Sequence, residues 1–170
     1  MIGVKRVSQQ HNEMKITLVV VGKTEDKYLI EGIEKYLSRL KHYITFNLIV
    51  IPELKNTKNL TEGQQKTKEA ESILKQISNL DVVVLLDEKG KKYTSVAFSN
   101  YLNKQMIGSV QHLLFVIGGP YGFDESVYKR VNSSISLSEM TFSHQMVRLF
   151  FIEQLYRAFS ILKGEPYHHE

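Results

Sequence analysis

The chain has 170 residues, 42% hydrophobic and 24% charged, with a net charge of +4, which is one globular domain's length with material for a sizeable core. It contains no cysteine, which excludes disulfides, thiolate metal sites and a cysteine nucleophile. No stretch reaches the roughly 18 consecutive apolar residues of a membrane span, no apolar leader marks the N-terminus, and the sequence reads as cytoplasmic. The mild basicity permits a nucleic-acid partner without demonstrating one.

Residues 1–13 are polar and without sustained period. They are set apart as an extension, either disordered or upstream of a natural start at Met14. A strand over 16–21 follows, apolar on both faces as a buried parallel strand should be. Helical spacing of Tyr28, Leu29, Ile33, Tyr36, Leu37 and Leu40 predicts a helix over 26–41. A strand over 46–51 is stopped by Pro52, and a polar loop leads into a charged helix over 62–78 with Ala70, Ile73, Leu74 and Ile77 as its apolar stripe. A third strand, 81–86, ends at Asp87-Glu88-Lys89-Gly90. Then come a helix over 95–106, a strand over 113–117, a short helix near 125–131, a strand over 135–137, and a long helix opened by Ser143-His144. Gly164 stands where that helix wants a left-handed cap. Strands alternating with helices throughout predict an α/β fold, a three-layer and mostly parallel sheet without repeat or linker.

The stretch 112–157 organises the rest. Its strand runs into Gly118-Gly119-Pro120-Tyr121-Gly122, at the carboxyl edge where open α/β sheets bind ligands. This turn matches neither the dinucleotide fingerprint nor the phosphate loop. The last helix is apolar nearly all round, yet Arg148, Glu153 and Arg157 interrupt it. Such a helix is buried on all sides, and one small sheet covers only one side. A second subunit is therefore expected on the other.

Six motifs occur in order: Met14-Lys15-Ile16; Leu85-Leu86-Asp87 with Gly90-Lys91; Phe115-Val116-Ile117 with the glycine turn; Leu137-Ser138-Glu139-Met140-Thr141-Phe142-Ser143-His144-Gln145-Met146-Val147-Arg148; Glu153-Gln154-Leu155-Tyr156-Arg157-Ala158; and Pro166-Tyr167-His168. Together, over residues 14–170, they resemble the bacterial ribosomal RNA large-subunit methyltransferase H family, small SPOUT-class enzymes. The resemblance implies methylation of N3 of a pseudouridine in 23S rRNA on assembled 70S ribosomes. It implies S-adenosylmethionine as cofactor, a homodimer, and a C-terminal segment threaded into a deep trefoil knot, an exception to the rarity of knots. By motif position it assigns the cofactor pocket to Leu86, Gly118, Leu137, Ser138, Glu139, Met140, Thr141 and Phe142. This chain has Ser143 where the family more often has proline; both residues suit a helix start.

Arg148 and His144 lie one helical turn apart beside the cofactor run. They are candidates to position RNA or stabilise a deprotonated pseudouridine; the alternative is a capping histidine and a structural ion pair. Glu153 and Arg157 have the acid-first i,i+4 spacing of a structural helix pair, with Tyr156 at the same interface. Tyr167 and His168, beyond the capped helix, read by themselves as a frayed, exposed terminus; the resemblance implies instead that they complete the RNA site, with tyrosine stacking on a base and histidine carrying a proton. The neighbouring subunit's site is one candidate for that completion. The His168-His169 pair lacks a third ligand, so no metal is assigned. Two other readings are a SPOUT enzyme acting on tRNA or another rRNA nucleotide, and a non-catalytic knotted binding protein. The first usually needs extra RNA-binding domains; the second need not keep the 137–142 loop and the tail.

Overall fold

Alternate side chains of each parallel strand point to opposite faces of the sheet, and that periodicity builds both halves of the core. The structure is a computed structural model and describes residues 14–169; the expectation for 1–13 lies outside them. Five parallel strands, β1 (Lys15–Val21), β2 (Thr45–Ile51), β3 (Val82–Lys92), β4 (His112–Ile117) and β5 (Ser133–Ser136), stand in the order β2-β1-β4-β3-β5. Between and after them run α1 (Lys27–Leu40), α2 (Glu62–Leu74), α3 (Ser95–Ile107), α4 (Glu125–Arg130) and α5 (Met146–Leu162). Ile16, Leu18, Val20, Val84, Leu113 and Phe115 pack under α1, α3 and α5. Val19, Val21, Val83, Leu85, Leu114 and Val116 pack under α2 and α4 on the other face. Connections that step one way across the sheet carry α1 and α3, and those that step back carry α2 and α4 on the opposite face. Reversing direction and face together keeps every crossover the same hand.

The expected element pattern is present, with differences that have local causes. Helix α2 stops at Leu74 rather than 78, because Ser78 donates its N–H and hydroxyl to Asp81 at 2.8 and 2.9 Å. Thr61 and Gln64 close its other end with a capping box. Strand β3 does not end at Leu86 but continues irregularly to Lys92, so that Ile135 of β5 pairs with both Leu86 and Lys91. Gly90 permits this, since a Cβ there would lie 2.6 Å from the main chain of Ser134 and Ile135. Strand β5 is Ser133–Ser136 rather than 135–137, and a 3-10 turn, Thr57–Asn59, interrupts the polar loop.

Helix α5 begins at Met146, later than expected, with Gln145 at its N-cap position, and Ser143 Oγ accepts from Met146 N–H at 3.1 Å. Its far end closes as anticipated: Gly164 has φ +68°, and the N–H groups of Gly164 and Glu165 donate to Ile161 and Ser160 carbonyls. Arg148, Phe151, Ile152, Leu155, Ala158 and Phe159 form the buried face, and the rings of Phe115 and Phe151 meet at 4.7 Å. Within one chain the burial is not complete all round, since Met146 and Phe150 each remain 37% exposed.

At the amino edge of the sheet, His112 Nε2 contacts Thr17 Oγ1 at 2.7 Å and Nδ1 contacts Asp81 at 2.8 Å. The order Thr-His-Asp resembles a hydrolase triad, but Thr17 is 2% exposed, and a nucleophile closed to solvent attacks nothing. The chain of contacts ties β1, β4 and the entry to β3 together. Burial by itself would push the Asp81 carboxyl up, but the bonds from Ser78 and His112 prevail and hold it below its ordinary value. His112→Ala is therefore expected to cost about 1–3 kcal/mol in urea denaturation, as buried partners lose their bonds.

Candidate active site

Three chain segments converge at the carboxyl edge of the sheet. Leu86, Asp87 and Glu88 come from β3, residues 117–123 from the end of β4 and the turn after it, and residues 135–138 and 140–144 from the end of β5 and the loop after it; with Val147 they enclose a cavity of about 460 Å³. Leu86, Ile117, Ile135 and Leu137 give it an apolar lining, and the glycines at 118, 119 and 122, having no side chain, present main chain to it. An apolar slot edged with a few fixed polar groups is the usual form of a small-molecule site. Asp87 and Glu88 add acidic groups at the mouth. Asp87 accepts from Tyr128 OH, and the Thr141 hydroxyl donates to Glu88 at 3.4 Å.

Of the residues singled out for the pocket, Leu86, Gly118, Leu137, Ser138, Met140, Thr141 and Phe142 line the cavity. Glu139 does not; its carboxylate pairs outward with Lys92. Asp87, Glu88, Tyr121 and Phe123 line the cavity without having been singled out. The sequence signal for the acidic pair was its position directly after a doubly apolar strand.

Arg148 is not at the cavity. It is 1% exposed, and its guanidinium donates to the carbonyls of Val21 at 2.7 Å, Gly22 at 2.9 Å and His144 at 3.2 Å, and to Thr24 Oγ1 at 3.0 Å. Gln145 reinforces the link, donating to Lys23 O at 2.9 Å and accepting from Glu25 N–H at 3.1 Å. The start of α5 is thus stapled to the loop after β1. This staple fixes the segment from which His144 and Val147 face the cavity.

The sequence that builds this parallel α/β domain and its cavity is similar over nearly the whole chain to known proteins. A profile of the family described as "Predicted SPOUT methyltransferase" matches residues 14–168. The chain belongs to the SPOUT methyltransferase family. Among its relatives, a protein of Parabacteroides distasonis is 60% identical over 157 residues, covering 92% of this chain and 100% of that protein. One of Christiangramia forsetii is 62% identical over 156 residues, covering 92% and 99%. Both are named Ribosomal RNA large subunit methyltransferase H.

In this SPOUT domain, His144 is the imidazole at the cavity wall. Burial first, and the Arg148 charge second, hold its pKa below the ordinary 6.5, against smaller opposing effects of Glu53 and Glu25. The ring is therefore neutral at pH 7. The unfolded chain takes up this proton near 6.5, the folded chain only at lower pH. Stability from His144 is thus complete above the unfolded value and declines as pH falls through it toward the folded one. His144→Asn should flatten that part of a stability-against-pH curve measured by urea denaturation.

The tail residues lie elsewhere. Tyr167 OH donates to Glu153 Oε1 at 3.0 Å and pairs with Tyr36 OH at 3.2 Å. Arg157 donates to the same Glu153 oxygen at 3.1 and 2.6 Å and lies 4.7 Å over the Tyr167 ring. Burial, then the bonds to Tyr36 and Glu153, push the Tyr167 phenol far up, so it stays protonated. Arg157 Nη1 is 3.2 Å from His168 Nδ1. Arginine has no acceptor, so Nδ1 accepts and the ring proton sits on Nε2. Glu153 and Arg157 are the structural pair their spacing indicated, and they anchor the tail to α5 and α1. Neither Tyr167 nor His168 lines the cavity of its own chain.

Proposed function

We propose that this protein methylates N3 of a pseudouridine in 23S rRNA, with S-adenosylmethionine as donor and the assembled 70S ribosome as substrate. The observation that carries the reading is the single cavity formed by Leu86, the turn at Gly118 and the 137–142 run. The relatives' name supports rRNA of the large subunit as the acceptor. The apolar lining suits adenine, the main-chain groups suit the edge of its ring, and Asp87 and Glu88 suit a ligand carrying positive charge. When bound, this cofactor supplies a methyl group on a positively charged sulfur.

The chain's own residues do the rest. Leu86, Gly118, Leu137, Ser138, Met140, Thr141 and Phe142 hold the cofactor, and Glu139 with Lys92 braces the loop from outside. Arg148 acts as a positioning residue through its staple to the β1 loop. N3 of the base must lose its proton before it attacks. His144, neutral at the cavity wall, is the proton acceptor this chain offers there. Tyr167 stacks on the base, and His168, with its proton on Nε2, donates to a carbonyl oxygen flanking N3, where the anion's charge spreads.

Since neither Tyr167 nor His168 lines the cavity of its own chain, the reading makes them part of a second copy's site, in a homodimer. Met140, 76% exposed, with Phe142, Met146 and Phe150 forms an apolar surface around the cavity mouth and the first turns of α5. Phe142 and Phe150 meet at 4.9 Å. A second copy covering this surface fits the expectation drawn from α5. The trefoil knot and a cytoplasmic location belong to the same reading.

The test is methyl transfer from labelled S-adenosylmethionine to ribosomes lacking the modification, to free large subunits, to naked rRNA and to tRNA. Label mainly in assembled ribosomes, mapped to pseudouridine N3, is the expected result. The chain's charges, 22 basic against 18 acidic, give little hold on naked RNA, which favours a folded ribosomal target. Label in tRNA, or none in any acceptor, would overturn the reading.

A further inference from the structure

Beneath the glycine turn lies a carboxylate that the reaction does not use. Glu69 of α2 is 5% exposed, on the same buried helix face as Ala70 and Ile73. A charged group in such a position is costly. Burial raises its carboxyl pKa, a hydrogen bond from Gln65 opposes the shift, and the nearby Glu53 adds to it.

The carboxyl group rests directly on Gly119. A Cβ built at that position would stand 2.8 and 2.9 Å from the two Glu69 oxygens. Gly119 is not among the glycines with positive φ, which are Gly22, Gly122 and Gly164. Backbone conformation therefore does not require glycine at 119; a Cβ there would instead press on the buried Glu69 carboxyl, which would have to give way. From its other side Gly119 lines the cavity, and its carbonyl accepts from Gly122 N–H at 3.2 Å, closing the turn.

We infer that Glu69 is a positioning residue for cofactor binding, a backstop that sets the depth of the cavity by holding Gly119 and the turn 118–122 forward. The inference rests on the reading of this cavity as the S-adenosylmethionine site. If Glu69 and Gly119 are in contact and the contact matters, substitutions at the two positions must couple.

The experiment is calorimetric titration of S-adenosylmethionine into wild type, Glu69→Gln, Glu69→Ala, Gly119→Ala and the Glu69→Ala/Gly119→Ala pair, with a thermal melt of each. Glu69→Gln keeps the shape and should bind within about twofold of wild type, whereas Glu69→Ala should bind about tenfold more weakly. Gly119→Ala should cost about tenfold or more alone, through overpacking, and less than about threefold when added to Glu69→Ala. Equal costs of Gly119→Ala in both backgrounds, or unchanged binding by Glu69→Ala, would overturn the inference. If Glu69→Ala does not fold, Glu69→Asp, which withdraws the carboxyl by one methylene, takes its place with the same two comparisons. Wild type that fails to bind S-adenosylmethionine would instead sink the cofactor reading, an outcome told apart by the first titration.

Discussion

Arg148→Ala is expected to lower stability by about 3–5 kcal/mol and the melting temperature by on the order of 10 °C, with cofactor affinity falling alongside. The guanidinium is buried and bonded to three main-chain carbonyls and the Thr24 hydroxyl. Truncation leaves the carbonyls of Val21 and Gly22 without a donor in a place water does not reach, and each such group costs about 1–3 kcal/mol. Arg148→Lys should recover little, because a single ammonium cannot reproduce a planar fork aimed at separate acceptors. The measurement is urea denaturation and calorimetry on the same preparations. A group acting on the reacting base would behave differently, with melting and cofactor affinity unchanged and turnover lost. That second pattern would remove Arg148 from its positioning role and return it to the chemistry.

The distinction shows what could be read from the residues alone. Short apolar runs closed by glycine, proline or polar turns marked the strands, and parallel order followed from the intervening helices. The end of β4 at Gly118 and the loop beginning at Leu137 were legible for the same reason: ligand sites follow strand ends. Arg148 was less so. Its one-turn spacing from His144 suggested two side chains turned to one ligand, but helical spacing does not tell which side of the helix meets the β1 loop. The structure gives His144 to the cavity and Arg148 to the carbonyls of Val21 and Gly22. Likewise, Glu69 looked like one more acid on a charged helix. Its burial depends on how α2 lies against the turn after β4, a tertiary fact without a local signature. The continuation of β3 through Asp87 and Glu88 was hidden because polar residues that close a strand resemble polar residues that extend one past a bulge.

Removing Tyr167 and His168 by truncation after Pro166 is expected to abolish methyl transfer, by about 100-fold or more, while leaving affinity for S-adenosylmethionine near that of wild type. The reason is geometric: these side chains are anchored at the α1–α5 edge by Tyr36, Glu153 and Arg157, apart from the cavity of their own chain. Loss of the Tyr36 and Arg157 contacts should lower stability only modestly, since the network is partly solvent-accessible. A mixed dimer decides whose site the tail serves. One copy carries the truncation with an intact cavity, and the other carries the tail with its cavity filled by Gly118→Trp. Gly118 suits this role because a Cβ there would already stand 3.1 Å from the Phe123 ring. If the tail acts across the dimer, the mixture regains activity, because the intact cavity of one copy meets the intact tail of the other. If it acts within its own chain, every cavity in the mixture lacks either room or a tail, and activity stays at background. Recovery would also require the two copies to associate, so the same result tests the homodimer of the proposed function.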